Sequence, residues 1–210
     1  DIYDAKIKQM GATRCNSLAE LCETLKMFHT VGILKDNKIA IMGPSGGDMA
    51  MTGDLSEGLS INYSKIPKNI SNNLKKVNHE GVIISNPFDL QTYNWNDPKS
   101  LRKTFDLMFK ANFNFIGLML DFPNMNDCDI AEWEAIVDKY ILSNKSKNKK
   151  AGLIASLSET LPKHIRDKCL KSGIVPLQGL KEALFAIHCS ISTGKAWSDF
   201  NVLKNIKFKR

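Results

Sequence analysis

Lys38-Ile-Ala-Ile-Met-Gly-Pro-Ser-Gly-Gly-Asp-Met-Ala-Met-Thr-Gly-Asp54 decides the fold. Residues 38–42 read as a buried strand. Residues 43–47 pack three glycines, one proline and one serine into a tight turn. From about Asp48 an amphipathic helix follows, expected over 49–59 with Met51, Leu55 and Leu59 on its core side. Glycines let a turn take positive φ and let a ligand approach the backbone closely. A strand, a tight turn and a helix aim unpaired N–H groups and the positive end of a helix dipole at one spot. Such a spot suits phosphate or carboxylate. The turn lacks the lysine of a Walker A loop and the glycine spacing of a dinucleotide fingerprint. It also fits an ordinary strand-to-helix connection, so both readings stay open on these residues alone.

Upstream, residues 2–10 predict a short helix ending at Gly11, and 12–15 a short strand. Ser17, with Glu20 three residues on, forms a capping box for a helix over 18–30. Its stripe would be Leu18, Leu21, Cys22, Leu25 and Phe28. Downstream, Ile61–Tyr63 is a brief extended piece, and Pro67 stands at the first position of a helix to about Val77. Strands are expected at 81–85, 114–121, 150–156 and 173–176. Helices are expected from Asp97-Pro98 to 110, from an Asp127 cap to about 142, over 162–171 and over 180–191. Strands alternating with helices argue for an α/β fold. The expected form is a doubly wound, mostly parallel, five-stranded flavodoxin-like sheet behind a short helical extension. Asn86-Pro87 marks a turn. Asp89 and Asp121 then fall just past strand ends, the edge where open α/β sheets bind ligands. An aspartate that only caps a turn fits position 89 as well. A magnesium pair from Asp89 and Asp121 lacks the usual spacing, and a response regulator would need acids where Gly43-Pro44 stand.

The 210 residues allow one large domain or a domain with an extension, and the 43% hydrophobic content suffices for a sizeable core. No apolar run reaches the ~20 residues that cross a bilayer. The start, Asp1-Ile-Tyr-Asp4, has no initiator Met and no signal pattern, and reads as a piece of a longer polypeptide. The net charge of +7 gathers in Lys runs at 145–150 and 204–210. These lack the interleaved Arg and aromatics of a nucleic-acid surface, so neither nucleic acid nor membrane is expected as a partner. Five cysteines (15, 22, 128, 169 and 189), with no Cys-x-x-Cys pair, fit reduced thiols and a cytoplasmic location. His29, His79, His164 and His188 show no metal-ligand spacing.

Several phrases in order resemble a known family. Ala5, Gln9, Gly11, Arg14, Ser17-Leu18 and Glu20-Leu21 match an opening phrase of the CoA-ligase domain. That domain belongs to the NDP-forming acyl-CoA synthetases, relatives of succinyl-CoA synthetase that include ADP-forming acetate–CoA ligases. Gly46-Gly47 with Asp54, then Asn86-Pro87-Phe88-Asp89, then Gly173-Ile174-Val175-Pro176 and Ala183 to Ile187 continue the match. The resemblance implies part of an acid–thiol ligase that joins a carboxylic acid to CoA as ATP is cleaved to ADP and phosphate. The route runs through an acyl phosphate and a phosphohistidine held between two helix N-termini on two domains. It implies phosphate binding by the N–H groups of Ser45, Gly46, Gly47 and Asp48, with Asp54, Asn86 and Asp89 in support. No catalytic side chain, metal site or resident cofactor is expected within these residues. CoA, ATP and Mg2+ belong to the complete enzyme, and so do the CoA-binding, phosphohistidine and ATP-grasp domains as partners. The expected division is a lead-in over 1–30, a CoA-ligase domain over 31–195 and a basic tail over 196–210. Pro44 and Asp48 depart from the family pattern. Two other readings therefore stay open: an inactive synthetase-like portion of a protein acyltransferase, and a non-enzymatic flavodoxin-like binding module.

Overall fold

The computed structural model describes residues 2–95, 97–124 and 128–205. Its centre is five parallel strands: β1 (Ile39–Gly43), β2 (Phe88–Asp89), β3 (Phe115–Met119), β4 (Ala151–Ala155) and β5 (Ile174–Gln178). Their order across the sheet is β2-β1-β3-β4-β5, the flavodoxin-like order. The helices are α1 (Ile2–Gln9), α2 (Leu18–Thr30), α3 (Gly46–Leu55), α4 (Lys68–Val77), α5 (Pro98–Lys110), α6 (Ala131–Lys145), α7 (Lys163–Lys171) and α8 (Leu180–Asn205).

The strands are apolar on both faces because both faces are covered. Successive side chains alternate between two cores. Ala40, Met42, Ile116, Leu118 and Leu153 join residues of α4, α5, α6 and α7. Ile39, Ile41, Phe115, Met119, Ile154 and Val175 join residues of α2, α3 and α8. Tyr140 is buried in α6, its hydroxyl 2.8 Å from the Ile116 carbonyl and 3.2 Å from that of Gly152. A Cβ at Gly152 would meet the Phe115 ring at 2.7 Å, so the small residue makes room for the large one on the neighbouring strand.

Several expectations are corrected. Residues 12–15 form no strand. The strand expected at 81–85 is instead the two-residue β2. Asn86 replaces the missing ladder: its Oδ1 accepts from Ile41 N at 3.3 Å, and its Nδ2 donates to Ile39 O and Ser64 O. The Asn86 side chain is thus a backbone clamp on β1. Helix α3 starts at Gly46 and ends at Leu55, earlier at both ends than expected. Met49 and Thr52 face inward on it, while Met51 and Leu55 stay exposed. Pro67 caps α4 rather than opening it. Helix α6 begins at Ala131, and the Asp127 cap lies outside the described residues. Helix α8 runs past 191 to Asn205.

The largest correction concerns α2, whose polarity is inverted. Leu18 and Leu25 are 80% and 58% exposed, whereas Glu20, Glu23, Thr24 and Met27 are buried. The reason is the end of the edge strand β5. Glu23 Oε2 accepts from Gln178 N at 3.0 Å and pairs with Lys26 at 2.7 Å. The Ser17 cap forms as expected, accepting from Glu20 N at 3.0 Å. The Glu20 carboxylate returns to Asn16 N at 2.7 Å.

Candidate functional site

The sheet order reverses at β1: one connection leads to β2 on one side, the next to β3 on the other. Ligands of open α/β sheets sit at this switch point, outside the C-terminal strand ends. Here that position is the start of α3. Gly43 ends β1 with its backbone so close to β3 that a Cβ would meet Met119 O at 2.8 Å. Ser45 is the N-cap in extended conformation, and its Oγ accepts from Asp48 N at 3.3 Å. The Ser45, Gly46 and Gly47 N–H groups open the helix and so have no intrahelical acceptor. Of the donors expected for an anion, Asp48 N is the one already held by the cap.

Carboxylates crowd this helix start. Asp89 Oδ1 accepts from Gln91 N at 2.8 Å, in a turn that holds Gln91 at φ 52°. A Cβ on Gly46 would meet Asp89 Oδ2 at 2.9 Å, so only a glycine lets that carboxylate lie against the first turn. Asp48 loses part of its hydration there, which pushes its carboxyl pKa up. The bond with Ser45 opposes the rise and the charge of Asp121 adds to it. Asp121 bridges two loops: its Oδ1 accepts from Ser156 N at 2.8 Å and from the Thr160 hydroxyl. Among the described residues none of these three aspartates has an ion-pair partner. No group of three metal-ligating side chains stands together among the described residues either.

The structure therefore brings Ser45, Gly46, Gly47, Asp48 and Asp89 together, and adds Asp121. It leaves out Asp54, exposed near the far end of α3, and Asn86, committed to β1. A second polar network was not visible in the sequence. Gln178 Oε1 receives Arg166 at 2.9 Å beside the Glu23–Lys26 pair at the end of β5. Its members come from three distant segments, and no local spacing links them.

The fold is that of a flavodoxin-like α/β domain, and this helix start is its candidate site at the β1/β3 switch point. The comparisons with known proteins agree. No family model matches the chain. Over 89 residues the chain is 28% identical to the acetate–CoA ligase (ADP-forming) of Methanocaldococcus jannaschii, covering 42% of this chain and 13% of that protein. The fold is shared with a crystallised protein of Pyrococcus horikoshii OT3 at TM-score 0.78 and 18% identity, covering 93% of this chain and 44% of that one. It is also shared with the dinucleotide-forming acetyl-coenzyme A synthetase 1 of Ca. Korarchaeum cryptofilum in its apo form. The TM-score there is 0.78 at 16% identity, over 99% of this chain and 44% of that one. The same synthetase in complex with phosphate and ADP gives 0.78 at 15% identity, over 99% and 43%. The chain thus spans less than half the length of these solved structures. It is similar in sequence to an ADP-forming acetate–CoA ligase and similar in fold to the acetyl-coenzyme A synthetase, as the ordered motifs led us to expect.

Proposed function

We propose that these residues are the CoA-ligase domain of an NDP-forming acyl-CoA synthetase, joining a carboxylic acid to CoA as ATP becomes ADP and phosphate. The observation that carries this reading is the coincidence of two independent likenesses. A sequence match to an ADP-forming acetate–CoA ligase meets a fold match to a synthetase solved with phosphate and ADP. In the proposed reaction an acyl phosphate forms and its phosphoryl group passes through a histidine on a partner domain. This chain contributes electrostatic positioning: the Ser45, Gly46 and Gly47 N–H groups face the phosphoryl oxygens. Fixed donors of this kind stabilise charge without supplying a base. One exposed helix start offers an anion about 0.3–1 kcal/mol, more when partly buried. Asp48, Asp89 and Asp121 oppose that attraction, so the second helix start and a cation bound with the nucleotide supply the balance. CoA, ATP, Mg2+ and the remaining synthetase domains are the partners in this reading.

The same carboxylates favour a second reading, an inactive synthetase-like portion of a protein acyltransferase, in which the turn binds no phosphate. The complete protein separates the two. Amide shifts of residues 43–49 are followed by NMR through a phosphate titration, with chloride as control. The synthetase reading expects selective, saturable shifts and phosphate-dependent acyl-CoA cleavage. Flat amides in both the natural protein and its Asp48→Asn variant, with no acyl-CoA turnover, overturn it in favour of the second.

A further inference from the structure

A large cleft opens beside α8, and none of its lining residues belongs to the α3 turn. Its volume is about 690 Å3, between α1 with the residues that follow it, 11–16, and the 185–199 stretch of α8. Specific small-molecule sites fall in the range of about 300–1,000 Å3 and combine apolar walls with a few polar groups. Helix α1 buries no side chain, so it roofs this space without filling it. The segment that follows it is tied down by Thr13 Oγ1 against Thr193 Oγ1 at 3.4 Å. A second tie is the Trp197 indole, which would lie 2.7 Å from a Cβ on Gly11.

The walls divide by chemistry. Ile7, Phe185 and Ile191 give the cleft apolar surface. The Phe185 and His188 rings stand 6.2 Å apart, tilted by 45°. His188 Nδ1 accepts from Ser60 N at 2.9 Å, so its ring proton sits on Nε2 and the imidazole is a fixed donor. Burial and the nearby Lys8 both favour that neutral form. Lys8 and Lys195 also line the cleft, and neither ammonium has an ion-pair partner among the described residues. Arg14 is paired with Asp4 at 2.6 Å, and Asp199 is the remaining acid of the lining. Two cations without partners, a ring-bearing wall and a neutral donor complement a flat ring carrying an acidic head.

We propose that this cleft is a binding site for a planar-ring organic anion, its ring against Phe185 and His188 and its head toward Lys8 and Lys195. Aromatic carboxylates and nucleoside monophosphates share that chemistry. The site is separate from the α3 turn and does not depend on how that turn functions.

The test uses the full chain titrated with benzoate and, separately, with adenosine monophosphate. Side-chain NMR signals of Ile7, Phe185 and Ile191 and the fluorescence of Trp197 are the readouts. Saturable one-to-one binding of either probe supports the site, and which of the two binds identifies its source. Lys8→Glu with Lys195→Glu is expected to weaken binding about tenfold or more, and Ala12→Trp to abolish it by filling the cleft. All three positions lie at the surface, and unchanged thermal melting confirms that the fold persists. Three results overturn the proposal: no saturation of either probe up to about 10 mM, shifts confined to residues 43–49, or unchanged affinity in the double lysine variant.

Discussion

Asp48 is the residue on which the proposed phosphate site at α3 turns. Its carboxyl pKa is raised in the folded protein, chiefly by lost hydration. Between that raised value and the ordinary 3.8 the folded state holds more proton than the unfolded one. Asp48 therefore favours the fold as pH falls through this window, and burdens it above the window, where the charge must stay partly dehydrated. Asp48→Asn is expected to raise the melting temperature at pH 7 and to flatten its dependence on pH across that window. The same variant should bind phosphate about three- to tenfold more tightly at low salt, with the gain shrinking as salt is added; calorimetric titration at two salt concentrations reads this. Gly46→Ala tests the neighbouring contact. Its methyl must displace Asp89 Oδ2, so phosphate-induced shifts at Ser45 and Gly47 should change while the helix itself persists. Ser143 is fully buried, and its hydroxyl has no hydrogen-bond partner among the described residues. A dehydrated, unpaired hydroxyl costs about 1–3 kcal/mol, so Ser143→Ala is expected to be neutral or stabilising in chemical denaturation. The glycines, the serine cap and Asp89 were legible as a turn with an acid beyond a strand end. That Asp89 lies against Gly46 was not, since more than forty residues separate them.

Among the elements, α2 shows how a correct helix can be assigned the wrong face. Its bounds and cap follow from Ser17 and Glu20, and its leucines fall at core spacing. Yet Leu18 and Leu25 point outward, because the other face carries Glu23 to the open N–H of Gln178. Spacing identifies an apolar stripe; it does not say whether a strand end needs a carboxylate more than the core needs another leucine. Leu25→Lys should shift stability by less than about 0.5 kcal/mol, as at other surface positions. Met27→Ala should cost about 2–5 kcal/mol, and Glu23→Ala about 1–3 kcal/mol by orphaning the β5 amide. Urea melts of the three variants check this order, and a large loss for Leu25→Lys alone would contradict the inverted face. Helix α8 carries a parallel case. A Cβ on Gly194 would run into the Leu34 carbonyl, and the same segment is strapped by Leu34 N to Ser190 O at 3.1 Å and Ser190 Oγ to Gly32 O at 2.8 Å. Gly194→Ala should therefore destabilise by about 1–3 kcal/mol, the cost of an overpacked contact.

At the scale of the whole molecule, the sequence by itself determined the class of fold, four of the five strands and most helix bounds. Those features are written in local terms: apolar runs where both sheet faces are covered, the Asp97-Pro98 helix start and the glycine turn after β1. It also carried the likeness to the acyl-CoA synthetases through motifs in a fixed order. Tertiary structure alone decided which side of α2 is buried, that Asn86 serves β1 as a clamp, and that Asp54 stands away from the turn it was grouped with. It alone gathered Asp48, Asp89 and Asp121 at one helix start, and opened the cleft between α1 and α8. The physical reason is one of range. Backbone preference and periodicity act over a few residues, whereas hydrogen-bond satisfaction, charge crowding and cavity volume depend on groups that only the folded chain brings together.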